Sequence, residues 1–286
     1  MGRLCAKMRL FLADLFIHPH YIGVKKKDQN EPLFSGQSQS QKRGGLTEYV
    51  TPEQWRGMPV LESYYYSRNN KYFPLLLSQG VDLMLDSGAF SVMENGVRVQ
   101  SWDAYIEEYA EFINRYNVEK FIELDIESVV GLKEVERLRA KLERLTGRQS
   151  MPVWHKWRGL DYFKRMCDEY PYVCFGGLMS DGIARRDLEK VFPWFINEAH
   201  KRGAKIHGLG YTPLDIAKKP FMFDSTDSSS WVAGNRFGHV YVFDPQTGLM
   251  KMICKKQGQR VKHLESAVHN LHEWMKFQKY LSTIKN

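Results

Sequence analysis

Three aspartates stand at the ends of apolar runs. They are Asp86 in Leu85-Asp86-Ser87-Gly88-Ala89-Phe90, Asp125 in Leu124-Asp125-Ile126-Glu127-Ser128, and Asp227 in Asp224-Ser225-Thr226-Asp227-Ser228. Two other runs carry histidines, His155 in Trp154-His155-Lys156-Trp157 and His207 in His207-Gly208-Leu209-Gly210. One aspartate after a strand is an ordinary cap for the next helix. Five or six polar residues recurring at successive run ends point instead to a shared cavity. Carboxylates crowded together repel, and their proton affinities are pushed apart. Two such groups can divide nucleophilic and acid/base work at an anomeric carbon, as in retaining glycosidases. The glycines after the third, sixth and seventh runs allow a flat ligand to approach the backbone.

The elements that must position these residues are short apolar runs alternating with amphipathic stretches. Eight runs, 8–13, 60–65, 82–85, 120–126, 152–157, 172–178, 204–209 and 221–226, look buried on both faces, as parallel strands do. Helices are expected at 102–116 with Ser101 as N-cap, at 132–145 with Gly147 just beyond, at 160–170, at 186–202 with a bend at Pro193, and as a short piece at 213–218. Eight strands with intervening helices make an α/β chain of the (β/α)8 TIM-barrel class, whose catalytic groups gather at the C-terminal ends of the strands. A hairpin follows, with strands at 239–243 and 249–254, and a long terminal helix at 262–282 closes the chain. The 286 residues are thus read as a single barrel domain, since one barrel takes ~250 residues. The segment 25–46, with its three lysines and Ser-Gly-Gln-Ser-Gln-Ser-Gln, is expected to be a mobile loop.

Hydrophobic residues make up 43% and charged residues 26%, with a net charge of +8. The basic excess favours a polyanionic partner. No apolar run is long enough to span a membrane, and residues 1–16 read poorly as a secretory signal because charges interrupt them. The four cysteines, Cys5, Cys167, Cys174 and Cys254, show no C-x-x-C or C-x-C spacing. Neither a zinc knuckle nor a disulfide framework is expected, and isolated thiols fit the cytoplasm.

In its motifs the chain resembles the tRNA-guanine transglycosylases, which are (β/α)8 barrels. Asp-Ser-Gly-Ala-Phe (86–90) is similar to that family's Asp-Ser-Gly-Gly-Phe/Tyr, and Leu-Asp (124–125) to the start of its Leu-Asp-Glu-Cys. Gly-Gly-Leu (176–178) matches directly; Gly-Leu-Gly with Thr-Pro (208–213) resembles Gly-Val-Gly-Thr-Pro; Asp-x-x-Asp-Ser (224–228) resembles Asp-x-x-Asp-Cys. The order is the same, over 85–238. Two departures stand out: the C-x-C-x-x-C zinc arm is missing, and Ser228 replaces the cysteine after the nucleophile. A zinc-less Asp-Ser-Ser-Ser-Trp version is similar to the DpdA-type DNA-guanine transglycosylases of phages and bacteria, which exchange guanine in DNA for a 7-deazaguanine.

The resemblance implies roles. Asp227 is the nucleophile toward C1′; Asp224 competes, but strand alternation turns the two to opposite faces unless the strand end bends. Asp86 is the general acid/base. Asp125, an acceptor-only group, takes the N1–H and 2-amino edge of the base. Gly177 and Leu178 present backbone to it, and Phe90 and His207 sandwich it. His155 either donates to a base oxygen or is a core histidine, and Glu127 is expected in a salt bridge. Phosphate contacts are expected at Lys156, Arg158, Arg236, Lys255 and Lys256, with 25–27, Arg260 and Lys262 as further candidates. The expected partners are DNA and a free 7-deazaguanine base, with no metal or cofactor. The alternatives are tRNA as substrate, a barrel nucleoside or glycoside hydrolase, and a non-catalytic nucleic-acid binder. A base in a duplex must be flipped to reach a barrel.

Overall fold

The computed structural model describes residues 7–13, 15, 50–71, 73–94, 99–177, 185–254 and 263–284. The loop expected at 25–46, Cys5, Leu178, Lys255, Lys256, Arg260 and Lys262 lie outside them.

Eight strands form one all-parallel sheet: β1 (Arg9–Ala13), β2 (Pro59–Ser63), β3 (Asp82–Asp86), β4 (Lys120–Phe121), β5 (Val153–Trp154), β6 (Tyr172–Phe175), β7 (Lys205–Gly208) and β8 (Ser225–Ser228). Their order is β4-β3-β2-β1-β8-β7-β6-β5. Alternate residues fall into two separate clusters, which gives the sheet an inside and an outside. Phe11, Leu61, Met84, Ile122, Val153 and Cys174 pack together on the inner face. Their neighbours Leu10, Val60, Leu85, Phe121, Trp154 and Val173 join the outer core under the helices. Each buried side chain of this size contributes about 1.5–3 kcal/mol.

The sheet curls but does not close: β4 and β5 remain its edges, and just outside them one isolated bridge pairs Ile122 with Met151. Met151 N–H donates to Phe121 O at 2.8 Å and Glu123 N–H to Met151 O at 3.1 Å. Side chains reinforce the seam. The Glu123 carboxylate accepts the Val153 N–H at 2.6 Å; on the other side of β4, Tyr109 Oη lies 3.1 Å from both Leu85 O and Ile122 O and shares its one hydrogen between them.

The longer helices are α1 (Trp102–Arg115), α2 (Leu132–Thr146), α3 (Leu160–Glu169), α4 (Arg185–Lys201), α5 (Ser230–Phe237) and α6 (His263–Leu281). Ser101 Oγ caps α1 by accepting the Ala104 N–H at 3.2 Å, Gly147 ends α2 in the left-handed region, and Pro193 lies inside α4. A hairpin, β9 (His239–Asp244) with β10 (Leu249–Cys254), pairs antiparallel after α5. The last helix returns to the sheet, where Gln278 Nε2 donates to Leu10 O at 2.5 Å and Pro59 O at 2.9 Å. Among the described residues no helix is long and apolar enough to cross a membrane.

Four strand expectations need correction. The eighth strand is Ser225–Ser228, not 221–226. Phe221, Met222 and Phe223 are buried by packing on the outer core without sheet pairing, so their apolar character imitated a strand. In the paired segment Ser225 and Asp227 both meet His207 on the inner face. The runs at 120–126 and 152–157 pair over only two residues each. The chain leaves the ladder where Glu123 turns outward to Arg139 and Arg158. The run at 60–65 stops at Ser63, where a short helix, Tyr64–Ser67, begins.

Candidate active site

Met84 lies on the inner face and Leu85 on the outer, so strand alternation returns Asp86 to the inside at the C-terminal end of β3. The chain then folds back on itself. Gly88 N–H donates to Asp86 Oδ2 at 2.8 Å. Gly88 has φ +71°, and a Cβ there would stand 2.5 Å from Tyr65 Cβ and 2.7 Å from Ser63 Oγ, so this turn requires glycine. Tyr105 Oη holds the next carbonyl, Ser87 O, at 2.6 Å. Burial raises the Asp86 carboxyl to about 7; the Gly88 N–H opposes this, and the negative charges of Asp125 and Asp227 add to it. Asp86 on β3 therefore senses both Asp125, in the segment after β4, and Asp227 on β8.

Asp227 reaches the same space from β8. Its register partner on β1 is Phe11, an inner-face residue. Oδ1 accepts the Gly210 N–H at 2.7 Å and approaches His207 Nε2 at 3.2 Å. Thr212 Oγ1 donates to the Asp227 carbonyl at 2.7 Å. The Gly-Leu-Gly…Thr-Pro segment thus grips the aspartate at both its side chain and its backbone. Asp224 points the other way. Its Oδ2 takes the Ile206 N–H and His200 Nε2, each at 2.8 Å, on the side of α4.

Asp125, half-buried, accepts from His155 Nε2 at 2.6 Å. Against an ionised aspartate this nitrogen must carry the proton, so the His155 donor is committed to Asp125 and not to a base oxygen. Its Nδ1 is buried without a hydrogen-bond partner. The ring lies across Gly176, where a Cβ would come within 2.9 Å of His155 Cε1 and 2.5 Å of Val153 Cγ1. On the imidazole the Trp157 ring stacks at 4.6 Å with a 4° interplanar angle, and Trp157 is 50% exposed. Phe90, after β3, is 56% exposed. Gly177, at the end of β6, is partly buried.

Two expected roles are corrected. His207 does not offer a face to a base, because it is fully buried, both nitrogens are engaged, and Phe11 packs edge-on against it at 6.1 Å. Arg158 does not reach phosphate, because its side chain is buried between Glu127 and Glu123. Glu127 is in the salt bridge expected of it. Lys156 is exposed. Arg236 falls within α5, its side chain outside those described. Leu178, Lys255 and Lys256 lie beyond the described residues as well.

Nothing in the residue pattern singles out Tyr105 and Tyr109, the two helix tyrosines that hold the ends of β3 and β4. Trp231, which closes the Asp-Ser-Ser-Ser-Trp run, is fully buried and donates from Nε1 to Ala13 O at 2.8 Å, tying the segment after β8 to β1. Their partners lie far off in the chain. A separate groove of about 900 Å³ runs between α6 and residues 53–59, lined by Arg9, Arg56, His269 and Lys279 among others. It borders the start of β1 and β2, whereas the carboxylates sit beyond the other ends of the strands.

Cys254 pairs with His239 across the hairpin, and among the described residues no group of three histidine, cysteine, aspartate or glutamate side chains converges. The chain matches no known protein family and no curated protein.

Proposed function

We propose that this chain is a guanine transglycosylase that exchanges guanine in DNA for a 7-deazaguanine base through a covalent Asp227–sugar intermediate, on a (β/α)8 barrel whose seam between β4 and β5 is thin. The observation that carries the reading is the convergence of Asp86 and Asp227, from β3 and β8, close enough for the charge of one carboxylate to act on the other. Asp86 holds its proton up to about pH 7, while Asp227 is held as an acceptor by Gly210 and His207.

In the first step Asp227 attacks C1′, the C1′–N9 bond breaks toward the base, and Asp86 gives its proton to the departing guanine. In the second, the incoming 7-deazaguanine loses its N9 proton to Asp86. Its nitrogen attacks C1′, the ester bond breaks, and both aspartates return to their starting states. This division of labour is that of a retaining glycosidase, with a base in place of water. Acid/base help of this kind is worth ~10²–10⁴ in rate. Asp125, fixed by His155, would receive the donor edge of the base, and Phe90 its face. Support for DNA over tRNA comes from the missing C-x-C-x-x-C cluster and the Asp-Ser-Ser-Ser-Trp run (227–231).

The test supplies labelled 7-deazaguanine with guanine-containing DNA, with tRNA, and with neither. Label in DNA supports the reading. Label only in tRNA moves the substrate to RNA, and release of free guanine without any acceptor base makes the chain a hydrolase.

A further inference from the structure

Beneath the carboxylates, three adjacent strands place polar side chains in line on the inner face. Tyr172 comes from β6, His207 from β7 and Ser225 from β8; His207 and Ser225 are register partners, and Asp227 stands two residues above Ser225. Tyr172 Oη and Ser225 Oγ are hydrogen-bonded. Ser225 Oγ meets His207 Nδ1 at 2.5 Å, and His207 Nε2 meets Asp227 Oδ1 at 3.2 Å. Ser225 and His207 are both fully buried.

We propose that Tyr172 and Ser225 are positioning residues that set the tautomer of His207, and through it the orientation of Asp227. Ser225 has one hydrogen to give. If it goes to His207 Nδ1, then Tyr172 donates to Ser225, Nε2 carries the imidazole proton, and that proton goes to Asp227: every donor in the line has an acceptor. If Ser225 donates to Tyr172 instead, His207 must carry a proton on Nδ1 to reach Ser225, and the phenol hydrogen has no acceptor among the described residues. His207 is then either a buried cation or a neutral Nδ1–H tautomer whose bare Nε2 faces the Asp227 carboxylate; each case strands the phenol donor and adds a second cost, a buried charge or two opposed acceptors. Burial holds the Tyr172 phenol far above its ordinary range, so it stays a donor. With Oδ1 of Asp227 occupied by His207 and Gly210, Oδ2 is the oxygen left to act. The catalytic consequence rests on the transglycosylase reading; the hydrogen-bond line does not.

The experiment is nitrogen-15 NMR of the histidine side chains of the full chain at pH 8, together with base-exchange kinetics. The expected spectrum shows His207 neutral, with a protonated Nε2 and a bare Nδ1. Ser225→Ala should let both tautomers appear and lower kcat about tenfold with KM for DNA unchanged. Tyr172→Phe should do less, and Ser225→Thr, which keeps the hydroxyl, should restore both signals. A doubly protonated His207, or a proton on Nδ1, in the unaltered chain overturns the proposal without reference to activity or to any variant's folding. An Nε2–H tautomer in a chain that exchanges no base leaves the relay standing and removes the transglycosylase reading.

Discussion

The Gly210 N–H and the Asp227 carboxylate are 2.7 Å apart, and the bond lands on the same oxygen that His207 approaches. A loop after β7 and a side chain within β7 therefore converge on one atom of a residue from β8. An aspartate gripped this way is held in a single orientation before any ligand arrives. Asn at this position keeps the size and forfeits the nucleophile. Asp227→Asn should abolish the covalent protein–DNA adduct seen by mass spectrometry and lower exchange by at least about 10³-fold. Undiminished exchange by this variant would end the proposed mechanism.

Asp86 makes stability and activity depend on pH in a defined direction. An unfolded carboxyl ionises near 3.8, the folded one near 7. Between those values the folded chain holds a proton that the unfolded chain has released, so stability falls as pH rises through the window and is flat above it. Asp86→Asn removes the ionisation. It should be more stable than the unaltered chain at pH 8, by up to about 4 kcal/mol, and the advantage should vanish near pH 4. Thermal melts across that range measure it. Base exchange by the unaltered chain should decline above about pH 7, as the acid of the first step is lost.

Helices were legible where caps and periodicity agreed, as at Ser101, which starts α1 with the expected cap bond, and Gly147, which ends α2. Strand β8 was not, because Phe221–Phe223 offered an apolar run while the paired residues are Ser, Thr, Asp and Ser. Hydrophobicity reports burial, not pairing. The acidic residues were legible because each ends its run. The setting of His207 was not: the Ser225 and Tyr172 beside it come from neighbouring strands, and only register brings them within reach.

Arg158 shows the same limit at a charged residue. In Lys156-Trp157-Arg158 it looks like a surface cation, yet Glu123, thirty-five residues earlier, and Glu127 enclose it. Glu123 keeps Arg139 at 3.1 Å, but removing Arg158 strands Glu127, whose side chain is only 9% exposed. Arg158→Ala should cost about 3–5 kcal/mol of stability, read by urea denaturation, and should leave the salt dependence of DNA binding unchanged. Lys156→Ala should do the reverse, leaving stability within about 0.5 kcal/mol and reducing the salt slope by about one. A flattened salt slope in Arg158→Ala, with stability intact, would return Arg158 to the phosphate surface.

Trp157 joins the acceptor side of the site to solvent. One face of the indole is stacked on His155, which holds Asp125, while half of the residue remains exposed. A large aromatic ring fixed on one side and open on the other is a surface on which a base can stack without regard to its identity. It is linked to Asp125 through His155, so on the proposed reading it would meet a nucleotide flanking the flipped guanine. Single-stranded DNA should therefore quench the indole fluorescence of a variant in which Trp157 is the reporter. Trp157→Ala should weaken DNA binding by about 1–3 kcal/mol, with Trp157→Phe recovering most of it. Because the ring also braces His155, Trp157→Ala should in addition loosen the Asp125–His155 bond, visible as a changed His155 nitrogen spectrum, whereas Trp157→Phe should not. If Trp157→Ala binds DNA as tightly as the unaltered chain, the indole serves only to brace His155.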